Sequence, residues 1–318
     1  MGGVGVGGYF IGQALEPDAP KQPEETKPTP SPSETPTSRF PGDPGAGSLL
    51  LGISLSISEA IADVPELASP PSLTRRFYRA HQTGLMSAMV RADAEAGAVS
   101  FVSMKPPGKW SEVAAGDRDG WVDDVLDGLA TESPVFLALH HEPENDHSGG
   151  GNVPASWREM HVRVATRAAR IAPLVQVVPV LMQWTFDPSS KRDPAEWLVD
   201  DLPLLGVDMY NPWRADVAGS RWVEFSELLA QVRKAVPDKP IIVPELGAVT
   251  DPLDPTRAAL WLQSAFDHAL TEDVVGMAWF ESEYNNRRGD LSLTEEGFAM
   301  INALLARPEV ARGSDLGT

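Results

Sequence analysis

The sequence predicts a (β/α)8 barrel preceded by a Pro-rich segment too poor in apolar side chains to fold. Three observations carry that reading. Short apolar runs alternate with amphipathic ones about eight times over roughly 260 residues, which suits a closed barrel better than an open doubly wound sheet. Two of those runs end abruptly in a carboxylate, which is where an α/β protein keeps its chemistry. The chain is 318 residues long and 42% hydrophobic, enough for one large core.

Residues 1–15 are Gly-rich and apolar without Lys or Arg. They are too short to span a bilayer and lack the basic start of a secretory signal. Gly3, Gly5 and Gly8 fit GxGxxG. No strand precedes them and no acidic residue follows at the required distance, so a dinucleotide site is not expected. Residues 16–47 are dense in Pro, Ser, Thr and Glu and read as a disordered, extended linker. The folded domain is then expected over residues 48–310, with residues 311–318 as a tail.

The expected strands are 50–57, 76–78, 99–104, 135–139, 174–182, 207–210, 241–243 and 274–280. The second is weakly signalled, and so is the helix after the first. Helical patterns cover 118–129, 155–171, 223–235 and 256–270. In the second of these, Trp157, Met160, Val164, Ala168 and Ile171 share one stripe. Ser292-Leu-Thr-Glu295 has the form of a capping box, opening a last helix that stops before Pro308.

The chain is organised around residues 135–146. Five apolar residues, Val135 to Leu139, are too few for a helix and typical of a strand buried on both faces. Polarity then reverses at once: His140, His141, Glu142, Pro143, Glu144, Asn145, Asp146. Pro143 cannot donate to a ladder and steers Glu142 away from helical dihedrals, so the strand should end about there. Residues 240–247, Pro-Ile-Ile-Val-Pro-Glu-Leu-Gly, repeat the design with Glu245. A glutamate at a strand end is usually a solvated loop residue. Two of them, ending barrel strands four and seven on one face, suggest a carboxylate pair for glycoside hydrolysis.

With His141-Glu142 after strand four, Val207-Asp-Met-Tyr210 at strand six and Pro244-Glu245-Leu-Gly247 at strand seven, the chain resembles glycoside hydrolase family 26. The resemblance spans nearly all of residues 50–308, including Trp184 after strand five and Trp279-Phe280 at the end of strand eight. It implies a retaining mechanism with Glu142 as general acid/base and Glu245 as nucleophile, and it makes Tyr210 the tyrosine that bonds the nucleophile. His141 would orient Glu142. Trp184 and Trp279 would serve as sugar platforms, or simply fill the core as most of the nine tryptophans should. Lys105, closing strand three, is a further substrate-binding candidate. Better-known mannan-degrading members carry His-Glu-Met-Asn-Gly and an arginine earlier in the strand. Here the residues are His-Glu-Pro-Glu-Asn and Ala138, so the sugar stays open.

Composition narrows the remaining classes. With 26 basic and 45 acidic side chains the net charge is −19, which disfavours nucleic acid and anionic membranes and suits a neutral or cationic glycan. Without cysteine there are no disulfides, thiolate nucleophiles or thiolate-bound metals. The density of His140, His141, Glu144, Asp146 and His147 invites a metal reading. His141-Glu142 does not begin HExxH, however, and strand one has no His-x-His, so neither metal nor cofactor is expected. No GxSxG is present either. The expectation is a monomeric hydrolase of a β-linked polysaccharide or oligosaccharide, β-mannan or a related β-glycan, without membrane insertion and working outside the cell or tethered to its surface. The alternatives are a hydrolase of a bacterial exopolysaccharide and a catalytically silent carbohydrate-binding or surface-display barrel.

Overall fold

A computed structural model describes residues 38–283 and 289–316. The expected Gly-rich start, and the expected linker as far as residue 37, lie outside the described residues. All strands run parallel in one sheet: β1 (Leu50–Ser54), β2 (Leu73–Arg79), β3 (Val99–Lys105), β4 (Val135–Leu139), β5 in two halves (Val175–Val177 and Val180–Met182), β6 (Leu205–Tyr210), β7 (Ile241–Gly247) and β8 (Val274–Trp279). The helices are α1 (Thr83–Glu95), α2 (Trp110–Ala115), α3 (Asp119–Leu129), α4 (Pro154–Ile171), α5 (Phe225–Ala235), α6 (Arg257–Ala269) and α7 (Glu295–Leu305). Among the described residues, no helix is long and apolar enough to cross a membrane.

Two junctions close the barrel. β1 pairs with β8, Leu50 opposite Gly276. The fifth strand passes from one neighbour to the other at Val178-Pro179: its first half pairs with β4 and its second with β6. Pro179 has no N–H to give, which is why the single expected run splits there. Its carbonyl still accepts from Gly206 N–H at 2.8 Å, and Val178 N–H still reaches Leu137 O at 2.8 Å. In β1, a Cβ on Gly52 would sit 1.6 Å from the Leu73 carbonyl oxygen, so only glycine allows β1 and β2 to approach this closely.

Strand alternation divides the core into two layers. Leu50, Phe101, Phe136, Ala138, Val180, Ile242 and Ala278 pack together inside the barrel. Leu51, Val102, Leu137, Val207, Val243 and Met277 face the helices. The α4 stripe behaves as its period predicts, with Trp157, Met160, Val164 and Ala168 buried. The second strand is longer than the sequence suggested because Arg75 and Arg76 interrupt its apolar pattern without leaving the sheet; both are buried. Arg76 faces outward and bonds Asp93 of α1, which also accepts from Thr74 and Ser100 at 2.6 Å each.

Four local expectations are corrected. The folded body does not begin at Ser48: Phe40 and Asp43 are buried, and Arg39 bridges Asp43 and Asp273 at 2.8 Å each. Nor does it stop at residue 310, since Ala311 and Leu316 join Phe40 in the inner core. The crossovers after β1 and β5 hold only 3-10 turns, Ile61–Asp63 in the first and Gln183–Phe186, Pro188–Ser190 and Pro194–Glu196 in the second. The last helix is capped by Thr294, whose hydroxyl accepts from Gly297 N–H, while Ser292 turns to Asp290 at 2.6 Å.

Phe40 closes the barrel at the N-terminal ends of its strands, so this plug should be measurable. Phe40→Ala is expected to cost about 3 kcal/mol in denaturant unfolding, and a chain starting at Ser48 should lose more. If that shorter chain were as stable as the full one, the plug would be passive.

Candidate active site

β4 ends at Leu139, and the next three residues turn sharply. His140 and Glu142 both take left-handed backbone, at φ 53° and 51°. Such conformations persist in non-glycine residues only where the surroundings hold them. Here His140 N–H bonds Met104 O at 2.8 Å and Glu142 N–H bonds Val180 O at 3.0 Å. The Trp157 indole donates to His140 O at 3.0 Å, and the Trp110 indole to His140 Nδ1 at 2.9 Å. With Nδ1 accepting, Nε2 carries the proton that meets Asp146 at 2.8 Å. Lys105, the expected substrate contact at the end of β3, bonds the same Asp146 oxygen at 2.6 Å. The acidic run thus divides. Glu142 faces the barrel mouth, Asp146 braces His140, and Glu144 turns away to accept from Met182 N–H at 2.9 Å and Thr185 at 2.7 Å.

Glu245 rises from β7 and is 5% exposed. One oxygen accepts from Arg75 at 3.1 Å, the other from the Tyr210 hydroxyl at 2.6 Å. Burial alone would raise this carboxyl. Arg75 and the Tyr210 bond oppose it, and Glu245 is held below the ordinary glutamate range. Tyr210 is itself pushed well above the usual phenol range by burial and then by Glu245, so it stays a donor. His141 lies with Nδ1 3.1 Å from Ser103 and Nε2 3.9 Å from Glu245. Burial brings it down to about 4, so the imidazole is neutral at pH 7. Ser103, Glu245 and Phe77 all contact its ring, the last at 5.3 Å between ring centres.

Glu142 and Glu245 meet at the mouth, and a third carboxyl joins them. One oxygen each of Glu142, Asp208 and Glu245 lies within 4.8 Å of the others. The wall beside Glu245 is aromatic, with Phe280 packed edge-on against Phe77 and Tyr210 at 5.9 Å each. Trp279, the expected platform, is buried on the helix side and donates to Leu291 O at 2.8 Å. Strand parity forces this exchange: if residue 279 faces the helices, residue 280 faces the site. Trp184 is 45% exposed on the turn after β5, with its ring available to a ligand.

Sequence reasoning missed Arg75 and Asp208. Arg75 was passed over with its weak strand. Asp208 stood in plain sight as the one charge in an otherwise apolar β6. Among the described residues, the group of three or more acids or histidines close enough to share an ion is Glu142, Asp208 and Glu245.

No family model matches the chain, and no curated protein does. Solved structures do. A modular endo-β-1,4-mannanase of glycoside hydrolase family 26 from Cellulomonas fimi is 13% identical, with a TM-score of 0.57 over 87% of this chain and 74% of that one. An exo-β-1,4-mannosidase from Opitutaceae bacterium strain TAV5 is 14% identical, at 0.59 over 85% and 62%. The catalytic domain of a Thermobifida fusca endoglucanase, with cellotetraose bound, is 13% identical, at 0.57 over 84% and 98%. At these identities the likeness is one of fold.

The Arg75–Glu245 contact generates a stability prediction. Arg75→Met leaves a buried carboxylate without its cation and should cost about 3–5 kcal/mol at pH 7. Glu245 is depressed in the folded protein, so its contribution is present above the unfolded value of 4.5 and fades as pH falls through the lower folded value. In the variant that carboxyl instead gains from protonation. The stability gap in urea unfolding should therefore narrow from pH 7 to about pH 4; a constant gap would mean that Arg75 acts only by packing.

Proposed function

We propose that this protein is a retaining glycoside hydrolase acting on a β-linked polysaccharide, with Glu142 as acid/base and Glu245 as nucleophile. The supporting observation is the approach of these carboxyls to within 4.8 Å at the closed barrel's carboxyl-end mouth, with one of them held ionised. Retaining enzymes place such groups about 5–5.5 Å apart, whereas inverting ones need about 6.5–9.5 Å to admit a water. The glycosidase fold of the solved relatives agrees.

In the first step a Glu245 oxygen bonds the anomeric carbon as the glycosidic bond breaks, and the leaving oxygen takes the proton of Glu142. In the second, Glu142 accepts a proton from water, the water oxygen bonds the anomeric carbon, and the ester to Glu245 opens. Arg75 and Tyr210 favour the charged form of Glu245 at the start and the end of this cycle. Phe280 and Phe77 wall the site, and Trp184 gives an exposed stacking face. Neutral glycans such as β-mannans or β-glucans suit a chain of net charge −19 better than polyuronides. A polymeric substrate also fits a place of action outside the cell or at its surface.

Reducing-sugar release from β-mannans, β-glucans and xylans tests the activity; binding without release would favour the silent barrel. Glu142→Ala and Glu245→Ala should each lose about 10³–10⁵ in rate. Azide should rescue the first with retained and the second with inverted configuration. Exchanged stereochemistry would reverse the roles, and near wild-type activity in both would reject the pair. Tyr210→Phe removes the 2.6 Å bond that helps lower Glu245. The acid limb of its pH–rate profile should therefore move to higher pH, with kcat/KM down about tenfold to a hundredfold.

A further inference from the structure

One buried acid has no part in that mechanism. Asp208 pairs with Met182 across the β5–β6 ladder and is 2% exposed. Neither carboxyl oxygen has a hydrogen-bond partner among the described residues. Glu245 meets it from β7 and Glu142 from the turn after β4, while Glu144 beyond that turn, Tyr210 of its own strand and Arg75 of β2 lie near enough to interact with it electrostatically. Arg75 is the one cation of that set, and it is already bonded to Glu245.

An ionised Asp208 would share a space within 4.8 Å of the Glu245 and Glu142 carboxyls, enclosed and with no donor among the described residues. Burial without a donor disfavours the charged form of any acid, and two like charges disfavour it further. Resting on the reading of Glu142 and Glu245 as the catalytic pair, we propose that Asp208 is a positioning residue held as the neutral carboxylic acid, leaving Glu245 the ionised partner of Arg75. The electrostatics agree: burial, then the charges of Glu245 and Glu142, push this carboxyl well above the ordinary range against the weaker opposing pull of Arg75. Being enclosed, Asp208 touches no substrate. It acts through its neighbours, offering them an O–H group in place of a charge.

The test uses the full chain with Asp208→Asn and Asp208→Leu. Asparagine copies a neutral acid that can donate; leucine fills the space without donating. Infrared difference spectra at pH 7 should show a protonated-carboxyl C=O band in the wild type that is missing from Asp208→Asn. This readout needs no turnover, so it stands apart from any failure of the glycosidase reading. In pH–rate profiles Asp208→Asn should keep kcat/KM within about twofold and its alkaline limb within about 0.3 pH unit, while Asp208→Leu falls at least about tenfold. An alkaline limb moved to lower pH by about one unit or more in Asp208→Asn would reveal a lost negative charge and overturn the proposal. So would an unchanged infrared band, or an Asp208→Leu variant as active as the wild type.

Discussion

Everything near the mouth of this barrel depends on keeping one buried carboxylate charged. Glu245 is enclosed by apolar strands, where an unpaired charge is costly. Its compensation arrives from opposite parts of the sheet: a guanidinium from β2 and a phenol from β6. The burden then passes to Arg75, itself buried, with Nε and Nη1 unpartnered among the described residues. Arg75 is held between the rings of Phe77 and Phe101, 4.4 and 4.5 Å from their centres, so ring faces take over part of the role of water. Two aromatic residues that look like ordinary core thus belong to the electrostatics of the site.

The second requirement is position. Glu142 reaches the mouth through a turn that two left-handed residues would make unfavourable in a free peptide. Two indole N–H groups and one aspartate fix His140, and a ladder-like bond to Val180 fixes Glu142. Trp110 and Trp157 therefore serve the site from behind, as core residues with a polar edge. The turn also relies on the divided fifth strand, because Val180, which accepts from Glu142, opens the half that β6 holds.

The barrel and the Glu142–Glu245 pairing were legible because apolar period and strand order are properties of sequence. What stayed hidden depended on contacts between distant segments. Arg75 reads as an interruption of a strand until Glu245 is placed opposite it. Asp208 reads as a solvated residue until both faces of β6 are seen to be covered. Trp279 and Phe280 differ by one step, and a one-residue uncertainty at a strand end reverses which ring meets the site. Residues 38–47 carry the composition of a linker, yet one phenylalanine and one Arg39–Asp43 pair suffice to dock them.

Charge balance assigns the three carboxyls different work. Among the described residues, the fixed positive charge bonded into this group is Arg75, on Glu245. Arg75 and Tyr210 both reach Glu245, which fixes where that charge resides. Asp208 is buried with no donor among the described residues, which favours its neutral form. Glu142 alone is partly exposed, at a rim where protons can be exchanged with solvent or a leaving group. The proposed double displacement uses a fixed anion and a group open to proton exchange, and here the two differ in depth in the barrel and in which strands bring them donors.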